Sequence, residues 1–356
     1  MSDQRFNREM LALARDAREL TQEDLAQVSG VSQSLISKAE HGLFEPSEEA
    51  LSKLADALGF PVSFFTQAAR RIGLPHFHAR QRARVPAKSL ARIEAMINIR
   101  RQHVGRLSRS FEHSIAKPIP QIDLDEKGLT PESVATRLRE YWLVPRGPVA
   151  SVTEIIEQAG GIVILGRFGT DLLDGLSFRS DGLPPLFFMN RDVTGDRFRM
   201  SLARELGHVV MHAIPEDDQK MEREASRFAA AFLMPTQDVR AYLADAKITN
   251  LARVKAFWKV PISDLIDRAF ELKLMTDYQH KTITAQYNKT FKDAEPVPIA
   301  LETPERLQSM VRYHLHDLKY SVEELAKLLC VREDYVQQAY LGRPRLRVVT
   351  SQHGEQ

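Results

Sequence analysis

Residues 204–208 read Arg-Glu-Leu-Gly-His, within the run GDRFRMSLARELGHVVMHAIPEDDQKMEREASRFAAAFLMP. The pattern His-Glu-x-x-His on a helix sets two imidazoles one turn apart as zinc ligands, with the glutamate between them as general base. Here Arg204 stands in place of the first histidine. A guanidinium stays protonated at any relevant pH, offers no lone pair to a metal and repels a cation. It also favours ionised carboxylates such as Glu205 without any metal. A second chemistry lies nearer the N-terminus, in LTQEDLAQVSGVSQSLISKAEHGLFEPSEEALSKLADAL. Thr21 caps one helix, with Asp24 completing a capping box; Gly30 supplies the left-handed turn and Ser32 caps the next helix. Leu25, Val31 and Ile36 fall where a two-helix corner buries its apolar faces. Such a corner places its second helix in the major groove of DNA, where amide and hydroxyl side chains pair with base edges.

The elements that must hold these groups suit two or three domains in 356 residues. Hydrophobic residues are 43% of the chain, enough for real cores. The net charge of +2 hides a strong asymmetry. Residues 1–66 carry 6 Lys/Arg against 11 Asp/Glu, whereas residues 67–117 carry 12 against 2. The second segment is suited to a polyanion and is a source of the phosphate contacts that the first lacks. The single cysteine, Cys330, excludes an intramolecular disulfide and a multi-cysteine metal site, and suits a reducing cytosol. No signal peptide is visible, and the longest apolar stretches, such as Phe228–Pro235, fall far short of a membrane span. The expected location is cytoplasmic, with no membrane partner.

Periodicity predicts short helices up to about Thr66. An extended stretch with a Pro break follows in LPHFHARQRARVPAKSL, then a helix from about Lys88 to Glu112 with Ile93, Ile97 and Val104 set against Arg100 and Arg101. KPIPQIDLDEKGLTP reads as a linker. Helices are expected at roughly 131–141 and 151–159, strands in GGIVILG, DGLSF and PLFFMN, and helices from about Gly195 to His212 and Lys220 to Phe232, the last stopped by Pro235. Residues 249–356 read as mainly helical. Their YSVEELAKLLCVREDYVQQAYLG resembles a second helix-turn-helix corner, with a Ser321/Glu324 capping box, Leu325 and Leu328 inward and Cys330 as a small buried residue; it is read as a hairpin closing the domain.

TQEDLA, SGVSQSLISKAEHG and PSEEALSKLADALG resemble the XRE, or lambda-repressor-like, helix-turn-helix family over nearly all of residues 5–66. The resemblance implies that Gln33, Ser34, Ser37 and Lys38 face base edges, that Gln22 holds a phosphate, and that Glu40 pairs with a helix-1 arginine. DGLSF at Asp174–Phe178, Asn190, GDRFR at Gly195–Arg199, LARELGHVVMH, and EASRFAAAFLMP from Glu224 resemble the ImmA/IrrE family of zinc-peptidase-like proteins. That likeness covers about residues 70–340, including FWKVPISDLIDRAFELKLM. It places the metal ligands on Arg204, His208 and Glu224 and the catalytic base on Glu205. The family often carries an N-terminal XRE domain.

The substitution at 204 implies that Arg204 fills the metal position as an ion-pair partner of Glu224. His212, four residues after His208 on the same face, leaves His208, His212 and Glu224 as the remaining route to zinc. Glu205 would then stand nearly two turns from His212. The fold expected is multidomain: an all-α helix-turn-helix domain (1–66), a basic connector with a helix (67–117), an α+β zincin-like domain (118–248) and a helical C-terminal module (249–356). The expected function is a sequence-specific DNA-binding regulator, a repressor acting as a homodimer on a double-stranded operator, with no cofactor. The alternatives are a zinc endopeptidase cleaving a repressor, and an antitoxin-like protein binding its operator and a toxin or second regulator.

Overall fold

The computed structural model describes residues 5–74, 84–111, 114–124, 128–180, 182–213, 217–291 and 294–342. Four short helices open the chain: α1 (Arg8–Ala17), α2 (Gln22–Ser29), α3 (Gln33–Glu40) and α4 (Glu48–Leu58). A longer helix, α5 (Ala87–Leu107), precedes α6 (Pro131–Tyr141) and α7 (Val152–Gln158). Strands β1 (Ile162–Gly166), β2 (Gly175–Phe178) and β3 (Leu186–Asn190) come next. The rest is helical: α8 (Gly195–Met211), α9 (Asp218–Leu233), α10 (Thr236–Leu243), α11 (Ile248–Trp258), α12 (Ile262–Glu271), α13 (Asp277–Thr290), α14 (Arg306–Arg312), α15 (Val322–Leu329) and α16 (Glu333–Ala339). Among the described residues no helix is long and apolar enough to cross a membrane. Much of the extended stretch expected before α5, and part of the linker before α6, fall on residues 75–83 and 125–127, outside the described residues.

Two compact units group these elements: Met1–Ile72, Glu94–Phe111 and Gln308–Gln356 in one, Gly73–Ile93 and Glu112–Leu307 in the other. The expected connector and C-terminal module are therefore each divided between units by their packing. Within the first unit, His103 on α5 is buried and hydrogen-bonds the Tyr340 hydroxyl at 2.7 Å. Arg100 lies 4.7 Å over the same ring, and Arg332 donates to Asp56 at 2.6 Å. The α15–α16 hairpin thus belongs to the same compact unit as α4. Its Ser321/Glu324 capping box forms as expected. Its inward residues are Leu325 and Leu329, with Leu328 only half-buried. Cys330 is half-buried too, in the left-handed conformation at φ 52° that ends α15; a turn residue at a helix end keeps one side open to water.

The second unit is built around a three-stranded sheet of order β1-β3-β2, parallel between β1 and β3 and antiparallel between β3 and β2. All five residues of β3 are buried, as a central strand covered on both faces requires. Helix α8 packs on β2 and β3, α9 packs along α8, and α6 along α9. Phe198, Leu202, Leu206, Phe228 and Phe232 fill the space between them. Buried Arg139 on α6 donates to the carbonyls of Phe232, Pro145 and Gly147 at 2.7, 2.5 and 2.9 Å, satisfying backbone acceptors that would otherwise be orphaned.

Helix α8 starts where it does because Gly195 has no side chain. The Gly195 amide donates to the Ile299 carbonyl at 3.2 Å. A Cβ there would collide with the backbone oxygens of Ile299 and Ala300. Gly195→Ala is therefore expected to push the 299–300 segment off the start of α8 and to lower stability by about 1–3 kcal/mol. Urea denaturation checks this; an unchanged midpoint would remove Gly195 from the account.

Candidate nucleic-acid interface and metal position

In the first unit, Thr21 accepts from the Asp24 amide and Asp24 from the Thr21 amide, closing the capping box on α2. Gly30 ends α2 at φ 69°, and Ser32 accepts from the Leu35 amide to start α3. Leu25, Val31, Ile36 and Ala39 are buried, so α3 is pinned along one face. Its other face carries Gln33, Ser34 and Lys38 exposed, with Ser37 half-buried. A chain of side-chain bonds fixes the N-terminal end of that face. Arg15 on α1 donates to Glu40 at 2.6 Å, Gln22 Nε2 donates to Glu40 at 2.7 Å, and Gln33 Nε2 donates to Gln22 Oε1 at 2.9 Å. Glu40 is thereby the arginine partner expected of it, and it also holds Gln22. The two glutamines are brought together; Lys38 lies on the same helix without joining the chain.

In the second unit, α8 buries nearly its whole surface. Glu205, 1% exposed, accepts from the Ser177 hydroxyl on β2 at 2.7 Å. His208 Nδ1 faces His212 Nδ1 at 3.0 Å, and His212 Nε2 faces Glu224 Oε2 on α9 at 3.1 Å. Burial, and then the neighbouring His208, push the His212 imidazole down to about 3, so it is neutral at pH 7. With His212 neutral, donating to Glu224 takes the hydrogen on its Nε2 and leaves its Nδ1 to accept from His208 Nδ1–H. His208 Nε2 stands 3.4 Å from Glu222. Arg204 does not join this group. Among the described residues it forms no ion pair with Glu224, whose carboxylate is taken by His212. Arg204 instead lines a cavity with Asp264 of α12.

Two family models match the chain: a helix-turn-helix domain over residues 11–65 and an IrrE N-terminal-like domain over residues 157–269. The chain joins an XRE-type DNA-binding helix-turn-helix to an ImmA/IrrE-like domain. The IrrE-like match runs from the end of α7 through the sheet to α12, narrower than the likeness read from sequence. No curated protein matches the chain.

The IrrE-like domain raises the question of zinc, which needs three lone pairs pointing at one centre at about 2.0–2.2 Å. Arg204 has none to give. His208 and Glu224 sit against opposite nitrogens of the His212 ring, so the three cannot converge on one ion as they stand. Among the described residues no group of three or more His, Cys, Asp or Glu side chains is arranged to hold a metal. The residues present do not fit the metal of the family. Sequence reasoning missed Ser177 and Glu222. The signal for Ser177 was a polar residue inside the apolar strand GLSF; Glu222 had none, being one of several acids in EDDQKMEREAS.

Five arginines of the basic segment are taken up within the protein, whereas Arg70, Arg84, Lys88 and Arg109 are exposed. Arg71 binds Asp16 and Glu94, Arg92 the carbonyl of Phe168, Arg100 the Tyr340 ring, Arg101 the carbonyl of Arg70, and Arg106 the Gln67 side chain. Arg80 and Arg82 lie outside the described residues.

Because Glu40 holds both Arg15 and Gln22, Glu40→Ala is expected to remove the acceptor of Gln22 Nε2 and to leave the half-buried Arg15 guanidinium to Asp16 and the Leu20 carbonyl. The cost is about 1–3 kcal/mol, read as a lowered melting temperature; an unchanged melt would show that the Arg15–Glu40 pair is idle.

Proposed function

We propose that the protein is a cytoplasmic transcriptional repressor that binds its operator as a homodimer, and whose IrrE-like domain senses a ligand or a protein partner without cutting a chain. The single observation carrying the reading is the held glutamine pair: Gln22 and Gln33, bonded at 2.9 Å, sit at the first turns of α2 and α3. A helix pinned by Ile36 and Ala39 and tipped by an immobilised amide is built to meet a base edge at low entropic cost. Gln33, Ser34, Ser37 and Lys38 are assigned to base edges, and Gln22 to a phosphate. Arg204 supports the non-enzymatic part, since a residue with no lone pair at that place in the motif leaves incomplete the ligand set on which water activation depends.

The homodimer follows from the size of the reading unit. One helix-turn-helix with few basic side chains neutralises few phosphates and gains affinity by doubling. Gln33→Ala is expected to lose about 1–3 kcal/mol of discrimination between operator and scrambled DNA. The footprint is expected on a two-fold symmetric site with half-sites about 34–36 Å apart, or a multiple. Gel shifts in which Gln33→Ala and Lys38→Ala both bind as tightly as wild type would sink the assignment.

The second test is elemental. The purified wild-type chain is expected to carry less than stoichiometric zinc and to leave its own chain and added partners uncut. Arg204→His restores the one-turn histidine pair and is expected to raise zinc content. One tightly bound zinc per wild-type chain, lost on His208→Ala, would overturn the non-enzymatic reading and return the endopeptidase.

A further inference from the structure

Beside α8 the second unit forms a partly open cavity of about 670 Å³, within the range that takes a small organic ligand. Its lining holds three basic and four acidic side chains. Two of the basic groups are committed. Lys255, 2% exposed, donates to Asp196 at 2.6 Å and Glu295 at 2.7 Å. Arg197 pairs with Asp174 at 2.7 Å.

Arg204 is not committed. Half-buried in the cavity wall, among the described residues it makes no hydrogen bond or ion pair, and its Nε is shut off from solvent with no acceptor. A buried N–H left without an acceptor is costly unless something completes it. The planar fork of guanidinium N–H groups matches a carboxylate, two bonds at a time. Asp264 lines the same cavity and lies close enough for the Arg204 charge to act on it. Asp196, 3% exposed, has its Oδ1 buried without a hydrogen-bond partner. The lining charges sum to one net negative, so a plain anion on Arg204 would add to an existing excess. A ligand carrying both signs would not. Met200, Phe291 and Leu301 supply apolar wall for its body.

We propose that this cavity binds a small zwitterion of the free α-amino acid class, its carboxylate on Arg204 and its ammonium group towards Asp264 and Asp196. The site deepens the sensing role proposed above and rests on that reading only for its consequence at DNA.

The test uses the full-length chain, purified, with each of the common free L-amino acids as probe in thermal-shift and calorimetric titrations. At least one is expected to raise the melting temperature saturably, and to bind Arg204→Gln and Asp264→Asn about tenfold or more weakly, the loss of one charge-assisted contact. The amine and the carboxylic acid that each lack one of its charges are expected to fall by a similar factor. Absence of any shift with every amino acid overturns the proposal, as does equal binding to Arg204→Gln, or equal binding of the carboxylic acid alone. Should Arg204→Gln fail to fold by circular dichroism, the two single-charge analogues on wild type decide. Gel shifts run in parallel separate the two readings: DNA binding without amino-acid binding sinks this inference alone, and amino-acid binding without DNA binding sinks the repressor alone.

Discussion

Helix α8 is buried along nearly its whole length, yet it carries Asp196, Arg199, Glu205 and His208 among its fully covered residues. A charge taken out of water must be paired or surrendered, and the architecture of the second unit is largely the set of answers to that demand. Lys255 reaches from α11 for Asp196. Glu302 is brought against Arg199, and in turn accepts from the Val152 and Thr153 amides at the start of α7. Ser177 on β2 answers Glu205. His208 is answered by a second imidazole held neutral by burial, which passes a proton bond on to Glu224. The segment 295–302 packs where it does because two of these partners, Glu295 and Glu302, lie on it.

Arginine at 204 changes the sense of that system. In a zinc site the cation would gather His208 and Glu224, and the geometry would be convergent. Arg204 brings no lone pair to that point, and the imidazoles face each other in a linear chain with Glu224. Arg204 itself goes to the neighbouring cavity, away from the pairing with Glu224 that spacing alone suggests. The reason is visible in the partners: Glu224 is claimed by His212, whereas Asp264 brings a carboxyl near an otherwise uncompensated guanidinium.

Legibility followed how local each determinant is. The caps at Thr21, Ser32 and Ser321, the left-handed Gly30 and the three strands were readable because each is set within a few residues. The strands stood out as short apolar runs between turn residues, and β3 is the most completely buried of them because it is central. What sequence order hid was grouping. Nothing in YSVEELAKLLCVREDYVQQAYLG says that Tyr340 closes over His103, 237 positions away, or that Arg332 reaches Asp56. The metal position divided the same way: the missing lone pair at 204 is a property of one residue type, whereas the His208–His212–Glu224 order depends on how α9 lies along α8.

The same distinction governs the DNA-reading face. Charge counting makes residues 1–66 a poor polyanion binder and residues 67–117 a good one, but a charge count ignores where the charges are used. Arg71 is enclosed by Asp16 and Glu94, and Arg100 lies on a tyrosine ring, so both are structural. Arg15 is likewise bound to Glu40, and through Glu40 it fixes Gln22 and then Gln33. An arginine that could have met a phosphate instead orders the two amides at the first turns of α2 and α3. In that arrangement non-specific attraction is given up and orientation is gained. On the function proposed above, the balance suits a reader of bases, since phosphate contacts carry no sequence information directly and base edges do.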